Sequence, residues 1–393
     1  MINMTDLVST WIEDNKQLII DFRRWLHRHP ELGFEEKQTS DYLKKILNNK
    51  GYKIVQTPSM KTGFYCDYVG SSDTPILALR TDMDALAIEE KSDKDYKSLN
   101  KGIMHACGHD VHMSIVLSLA IYFIENNVPV NGTIRFLFQP AEEMAPGGAL
   151  AMIDGGAIEG VSHIFGSHVY PKMNANNVAI KYGPIAATVE LIEITLKGMG
   201  GHTSRPNESV DLIWAQSQLV HVLEQTLNHS IDQQEPVVLA FGKIEGGSVH
   251  NVLPDSVKLY GTLRYLNPDL QETLHHKISE SVKNVSSLSK AKIDWESEYA
   301  CPGVVNDKML VDIISKSSVE SIGEENTKIL DISSMGGEDF AYYLEKIPGA
   351  YFRIGSFDGN SKDIHTSDFD VDEECIFTAI KVYASIVHNY FKS

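Results

Sequence analysis

Apolar residues recur at helical spacing twice near the start of the chain. Leu18, Ile19, Phe22, Trp25 and Leu26 form one stripe, and a second runs over 39–47 and stops at Gly51. Residues three and four apart share a helix face, so both stretches predict amphipathic helices. The pattern then changes. Short apolar runs at 76–79, 133–138 and 163–169 are bounded by turn residues, with helical material between them at 110–125 and 149–154. Strands buried on both faces read as unbroken apolar runs, and their alternation with helices predicts a mainly parallel α/β sheet.

Past Gly183-Pro184 the texture differs again. The spacing predicts a strand over 188–197, a helix over 209–227, a strand over 236–244, a turn at Gly246-Gly247, a strand over 256–265, a helix over 268–287 and a strand over 292–298. This β-α-β-β-α-β order is that of a ferredoxin-like sandwich. The α/β texture returns with a helix over 309–322, a loop over 335–339, a strand over 350–354, a loop over 355–370 and a helix over 373–390. The expected architecture is therefore α/β. A discontinuous, mainly parallel-sheet domain, residues 1–183 and 299–393, receives an inserted ferredoxin-like α+β domain, residues 184–298.

Length and charge narrow the function classes. The 393 residues suffice for about two domains at roughly 150 residues each. Fifty-three acidic against 35 basic residues give a formal charge of -18 with no local basic patch, which disfavours nucleic acid and anionic membranes as partners. The most apolar stretch, 115–124, is interrupted by Ser118 and is far shorter than the roughly 18 residues of a membrane span. Residues 1–17 lack a basic start followed by an apolar run. Cys66, Cys107, Cys301 and Cys375 are too scattered for a disulfide scaffold, so a cytoplasmic location is expected.

The densest chemistry lies in His105-Ala106-Cys107-Gly108-His109-Asp110-Val111-His112, three imidazoles, a thiol and a carboxylate ahead of a helix. In an extended segment Cys107 and His109 share a face and offer S and N ligands to one point, although helix capping and packing would use similar residues. Glu142 and Glu143 follow an apolar strand directly. Such a pair either forms a solvated acidic loop or divides two tasks, one binding a cation and the other activating a water. His168 ends another apolar run, and His365 sits in a loop between a strand and a helix. Ligands of open α/β sheets gather at the carboxyl ends of strands, so these elements predict one site. By donor type Cys107, His109, Glu143, His168 and His365 suffice for two divalent ions of zinc-like softness.

Several motifs carry a resemblance over nearly the whole chain. Leu26-His27-Arg28-His29-Pro30-Glu31-Leu32, Asp82-Met83-Asp84-Ala85-Leu86, His105 to Asp110, Gln139-Pro140-Ala141-Glu142-Glu143, Gly200-Gly201-His202, Asn251-Val252-Leu253-Pro254 and Gly337-Glu338-Asp339-Phe340 occur in this order. The sequence resembles the amidohydrolase branch of the aminoacylase and carboxypeptidase superfamily of two-metal hydrolases. That branch includes hippurate hydrolases, N-acyl-amino-acid amidohydrolases, N-acetyldiaminopimelate deacetylases and auxin-conjugate hydrolases.

The resemblance implies hydrolysis of small N-acyl amino acid amides with two metal ions per subunit, zinc or alternatively manganese, cobalt or nickel. It places Cys107, His109, Glu143, His168 and His365 as ligands, Cys107 as a bridge and Glu142 as general base. It also implies that His202 stabilises the oxyanion, often across a dimer interface, and that Asn251 and Arg264 grip the substrate carboxylate. The inserted domain becomes a lid and dimerisation element of a homo-oligomer. Taken alone, His202 is equally a solvated loop residue and Arg264 a surface ion-pair partner. Peptidase branches carry His-x-Asp where this chain has Arg80-Thr81-Asp82, so residue 80 supplies no ligand. Asp82 and Asp84 are then either supports behind the ligands or N-caps of a following segment. A dipeptidase or carboxypeptidase, and a metal-stabilised binding module without turnover, are the competing readings.

Overall fold

The computed structural model describes residues 4–360 and 362–392. Its chain separates into two compact units: the first runs to Ile185 and resumes over Val304–Ile332 and from Asp339, and the second is Ala186–Gly303 with Ser333–Glu338.

In chain order the first unit holds α1 (Met4–Arg28), α2 (Lys37–Asn49), β1 (Ile54–Val55), β2 (Phe64–Val69) and β3 (Ile76–Asp82). It continues with α3 (His109–Glu125), β4 (Thr133–Gln139), α4 (Gly148–Asp154), β5 (Val161–Asn174), β6 (Val178–Ile180) and β7 (Gly183–Ala186). The second unit contains β8 (Thr188–Lys197), β9 (Gly201–His202), α5 (Leu212–Ser230), β10 (Val237–Gly246), β11 (Val252–Leu253), β12 (Ser256–Tyr265), α6 (Gln271–Ser289) and β13 (Lys292–Cys301). The chain then adds β14 (Val304–Asn306), α7 (Lys308–Ile322), β15 (Thr327–Ile329), α8 (Ala341–Leu344), β16 (Gly349–Phe357) and α9 (Glu374–Lys392) to the first.

The large sheet of the first unit has the order β1-β2-β4-β3-β5-β16-β6-β15. Its centre, β4-β3-β5-β16, is parallel, whereas β2 meets β4 and β6 meets β16 antiparallel. Every residue of β4 is buried, as its unbroken apolar run requires. On β3, Asp82 lies opposite Gln139 of β4, and Leu79 opposite Phe165 of β5. Three residues further along each of the latter strands bring Asp82 level with His168, so the carboxyl ends of β3, β4 and β5 open onto one edge. Helix α3 is buried round its circumference from His109 to Phe123 and packs against α1 and α9.

Several boundaries differ from expectation for local reasons. Helix α1 begins well before Leu18 because Val8, Trp11 and Ile12 extend its buried face. Helix α5 begins at Leu212 rather than 209, since the Asp211 side chain accepts the Trp214 N–H at 3.0 Å and caps it. Pro268 opens a 3-10 turn, and α6 starts only at Gln271.

In the second unit the sheet order is β10-β12-β8-β13, antiparallel throughout. Numbered within the unit this is 2-3-1-4, the strand order of a ferredoxin-like sandwich. Ile192, Ile194 and Leu196 alternate inward from β8 and pack with Leu219 and Leu223 of α5 and Ile278 and Val282 of α6.

Candidate active site

Cys107 is buried immediately ahead of α3 and forms the hub of the first unit's donor cluster. Gly108 sits between it and His109 with φ +83, a left-handed conformation that suits glycine. A Cβ there would also lie 2.6 Å from Val169 of β5, so the start of α3 is held tightly against that strand. The Cys107 Sγ lies 3.2 Å from His168 Nε2 and 3.3 Å from His365 Nε2. Donor atoms of Cys107, His109 and His168 cluster within 4.8 Å of one another, as do those of Cys107, Glu143 and His365. Cys107 belongs to both groups, and His109, Glu142 and Glu143 form a further one.

The imidazoles are oriented by groups behind them. His109 Nδ1 donates to the Asp84 carbonyl at 2.8 Å, and His168 Nδ1 donates to the Val169 carbonyl at 2.8 Å. A carbonyl can only accept, so both rings carry the Nδ1 proton and turn Nε2 toward the cluster. His109 Nε2 is buried with no hydrogen-bond partner among the described residues, which a cation would supply and hydrocarbon would not. His112 continues the chain: its Nε2 accepts the Val169 N–H at 3.0 Å and its Nδ1 donates to Asp82 at 2.7 Å. Arg80 is directed elsewhere, donating to Gln139, Asp82 and Asp339.

The carboxylates make this pocket attractive to cations. Burial works against charge on His109, yet Asp82, Asp84 and Glu143 outweigh it and push its pKa up to about 10. His168 moves the other way, held neutral by burial and by neighbouring His112 and Arg353. Burial, then Glu143 and Glu142, push the Cys107 thiol well up, so a bound cation would have to displace its proton. The Glu143 carboxylate, one oxygen of which lies 3.2 Å from His365 Nε2, accepts from that ring and raises its pKa. Two soft-to-borderline donors, an orphaned nitrogen and surplus negative charge suit divalent metal ions of zinc-like character.

Asp84 acts in a way its sequence position does not announce. No helix starts within residues 85–108, so the N-cap reading fails. Its carboxylate instead accepts the N–H groups of Glu142 and Glu143, both at 2.9 Å. Glu36, absent from the expected set, accepts the preceding N–H, that of Ala141, at 2.8 Å. Neither His112 nor Glu36 was assigned a role from the sequence. The only signal for His112 was its place in the His/Cys run, and for Glu36 there was none.

The remaining expected residues belong to the second unit. His202 is exposed on β9, pairs with Val252 of β11, and accepts the Ser204 N–H at Nδ1 at 3.1 Å. The Asn251 carbonyl accepts the Thr203 N–H at 3.2 Å, which sets Asn251 beside His202 in one short ribbon. Arg264 of β12 donates to the Met335 carbonyl at 2.9 Å. That bond ties the 333–338 loop to the second unit.

Known proteins are similar to this chain over most of its length. Residues 78–389 match the model for Peptidase family M20/M25/M40. An N-acetyl-L-cysteine deacetylase of Bacillus subtilis is 38% identical over 368 residues, covering 93% of this chain and 86% of its own. Thermostable carboxypeptidase 2 of Saccharolobus solfataricus is 33% identical over 381 residues, covering 94% and 95%. Among solved structures, the Bacillus subtilis YXEP protein, described as a dinuclear metal binding peptidase from the M20 family, matches with a TM-score of 0.85 and 29% identity over 97% of this chain and 99% of that one. With a family model spanning most of the sequence and hydrolytic relatives matching nearly end to end, the chain belongs to Peptidase family M20/M25/M40 and is a hydrolase.

Proposed function

We propose that this enzyme cleaves the amide bond of N-acyl amino acids or closely related small conjugates. The observation that carries the reading is the cluster around Cys107, with Glu142 beside it as one carboxylate more than two cation sites need. Cys107, His109 and His168 would hold one ion and Cys107, Glu143 and His365 the other, with zinc the best match to this donor set. Divalent ions bound there supply Lewis acidity, polarising the amide carbonyl and acidifying a water.

The chain's own residues do the rest. Glu142 takes the proton of the attacking water and returns it to the leaving nitrogen, so one carboxyl serves as base and then acid. Its backbone is fixed by Asp84, which favours a constant distance to the reacting atoms. His202 would stabilise the oxyanion, and Asn251 with Arg264 would select a free carboxylate on the amino-acid half. The second unit acts in this reading as lid and dimerisation element of a homo-oligomer, which suits a cytoplasmic enzyme with four free, buried cysteines. The similarity to a deacetylase of N-acetyl-L-cysteine supports an acylated amino acid as substrate. The similarity to a carboxypeptidase keeps peptides as the second reading.

The test is amine release from a panel of N-acetyl, N-benzoyl and longer N-acyl amino acids beside dipeptides, with Glu142→Gln and chelated enzyme as controls. At least one acyl amino acid should turn over, and each control should lose about a hundredfold or more. Preference for dipeptides would move the peptidase reading to the front. A protein that binds two ions and consumes nothing in the panel would refute the amidase.

A further inference from the structure

Three consecutive backbone N–H groups, those of Ala141, Glu142 and Glu143, are each held by a side-chain carboxylate. Asp84 accounts for two of them, as described above. The third acceptor, Glu36, stands 105 residues away and is wholly buried just ahead of α2.

Ala141 is the residue at which this turn needs holding. Its φ is +50, a left-handed conformation uncommon for a residue with a Cβ. It is buried, and its carbonyl accepts the Gly148 N–H at 2.9 Å. The surroundings leave little room to relax: a Cβ on Gly33 would lie 3.0 Å from the Ala141 Cβ, and one on Gly148 would lie 1.8 Å from the Pro140 carbonyl oxygen. A return of residue 141 to the right-handed region would swing φ by roughly 110° and redirect the peptide that leads into Glu142.

Glu36 is itself anchored. Its second oxygen accepts the Thr62 hydroxyl, and the Thr62 carbonyl accepts the Ser40 hydroxyl at 2.6 Å, so the acceptor is tied to α2 at both ends. We propose that Glu36 is a positioning residue for Glu142: by accepting the Ala141 N–H it keeps residue 141 left-handed and so aims the Glu142 carboxylate that follows. This rests on Glu142 being the general base. The Ala141 N–H needs an acceptor oxygen, and burial, which pushes the Glu36 carboxyl up to about 7, works against a fixed negative charge there. A glutamine can supply that oxygen, and alanine cannot.

The experiment compares wild type, Glu36→Gln, Glu36→Ala and Glu36→Asp by amide hydrogen exchange across 138–148, by metal stoichiometry and by kcat and KM. Glu36→Ala should raise exchange at 141–143 at least tenfold while β3 and α3 stay protected, with two ions still bound. Its kcat should fall about tenfold to a hundredfold with KM within twofold, as expected for a misplaced rather than a missing base. Glu36→Gln should restore both readouts, and Glu36→Asp, shorter by one methylene, should behave like alanine. Wild-type exchange in the alanine variant, loosening spread evenly over the first unit, or a glutamine variant no better than alanine would each overturn the proposal. Should alanine fail to fold, the aspartate and glutamine variants decide the question. If the wild type itself turns over no panel substrate, the amidase reading fails, and the exchange comparison still decides whether Glu36 holds the turn.

Discussion

Arg23 of α1 is a fully buried guanidinium, and its removal offers a demanding test of how the first unit is held together. It donates to Asp110 of α3 at 2.8 Å, to Asp370 ahead of α9 at 2.6 Å and to Glu373 at 3.3 Å, and lies 4.8 Å from the Tyr96 ring centroid. Asp370 also accepts the Tyr96 hydroxyl at 2.7 Å and faces Lys94 at 3.2 Å. Burial raises the Asp370 carboxyl, but Arg23, the Tyr96 hydroxyl and the Val371 N–H outweigh it and bring the pKa from 3.8 to about 2. A shift of roughly two units is worth about 2.5 kcal/mol at about 1.4 kcal/mol per unit. Because the folded state holds the carboxyl ionised more strongly, that stability is complete above about pH 4 and is lost as pH falls toward 2. Asp370→Asn should therefore cost about 2 kcal/mol at pH 7, read as a lowered urea midpoint, and the gap to wild type should narrow between pH 4 and pH 3. Arg23→Met strands buried carboxylates and should cost about 3–5 kcal/mol. In the double variant the losses should fall short of their sum by about 1–3 kcal/mol. Additive losses, or a gap at pH 7 below about 0.5 kcal/mol, would show that the three helices are joined by packing and that the ion pairs contribute nothing.

Three further outcomes follow from particular contacts. His112→Phe removes both the acceptor of the Val169 N–H and the donor to Asp82, and should weaken zinc binding by about 10- to 100-fold in isothermal titration; unchanged affinity would mean that His168 needs no such support. In the second unit Glu190 is fully buried and accepts from Tyr265, Gln271, His275 and Ser297. Glu190→Gln turns an amide N–H₂ toward some of these donors and should cost about 1–3 kcal/mol in thermal unfolding, a loss that an incidental contact would not produce. Adding zinc to chelated protein at a hundredfold excess over Kd should stabilise the first unit by about 2.7 kcal/mol for each site filled, and Cys107→Ala should reduce the number of ions retained on gel filtration; full retention would remove the thiol from the ligand set.

What could be read ahead of the structure follows from how far each signal reaches along the chain. The α/β class was legible because β3, β4 and the central part of β5 are buried on both faces and α3 is buried all round, so their runs contrast sharply with the turns between them. The short strands β1, β6 and β15 were not, since two or three residues make no periodic pattern, and β1 and β15 contain no fully buried residue. The same division runs through the site. Cys107, His109, Glu142, Glu143 and His168 bear chemically distinctive side chains at strand ends, where the topology of a parallel sheet collects them. Asp84, His112 and Glu36 act on backbone N–H groups, which every residue except proline possesses and which therefore leave no trace in residue identity. Glu36 is the extreme case: its partner is an alanine 105 residues away, and only the left-handed φ of that alanine shows that anything there has to be held. A site of this kind is assembled in two layers. The layer that faces the substrate is written in side chains, and the layer that aims it is written in backbone geometry, so variants that spare every donor atom, such as Glu36→Ala, are where sequence-based expectation and measured kcat should part most.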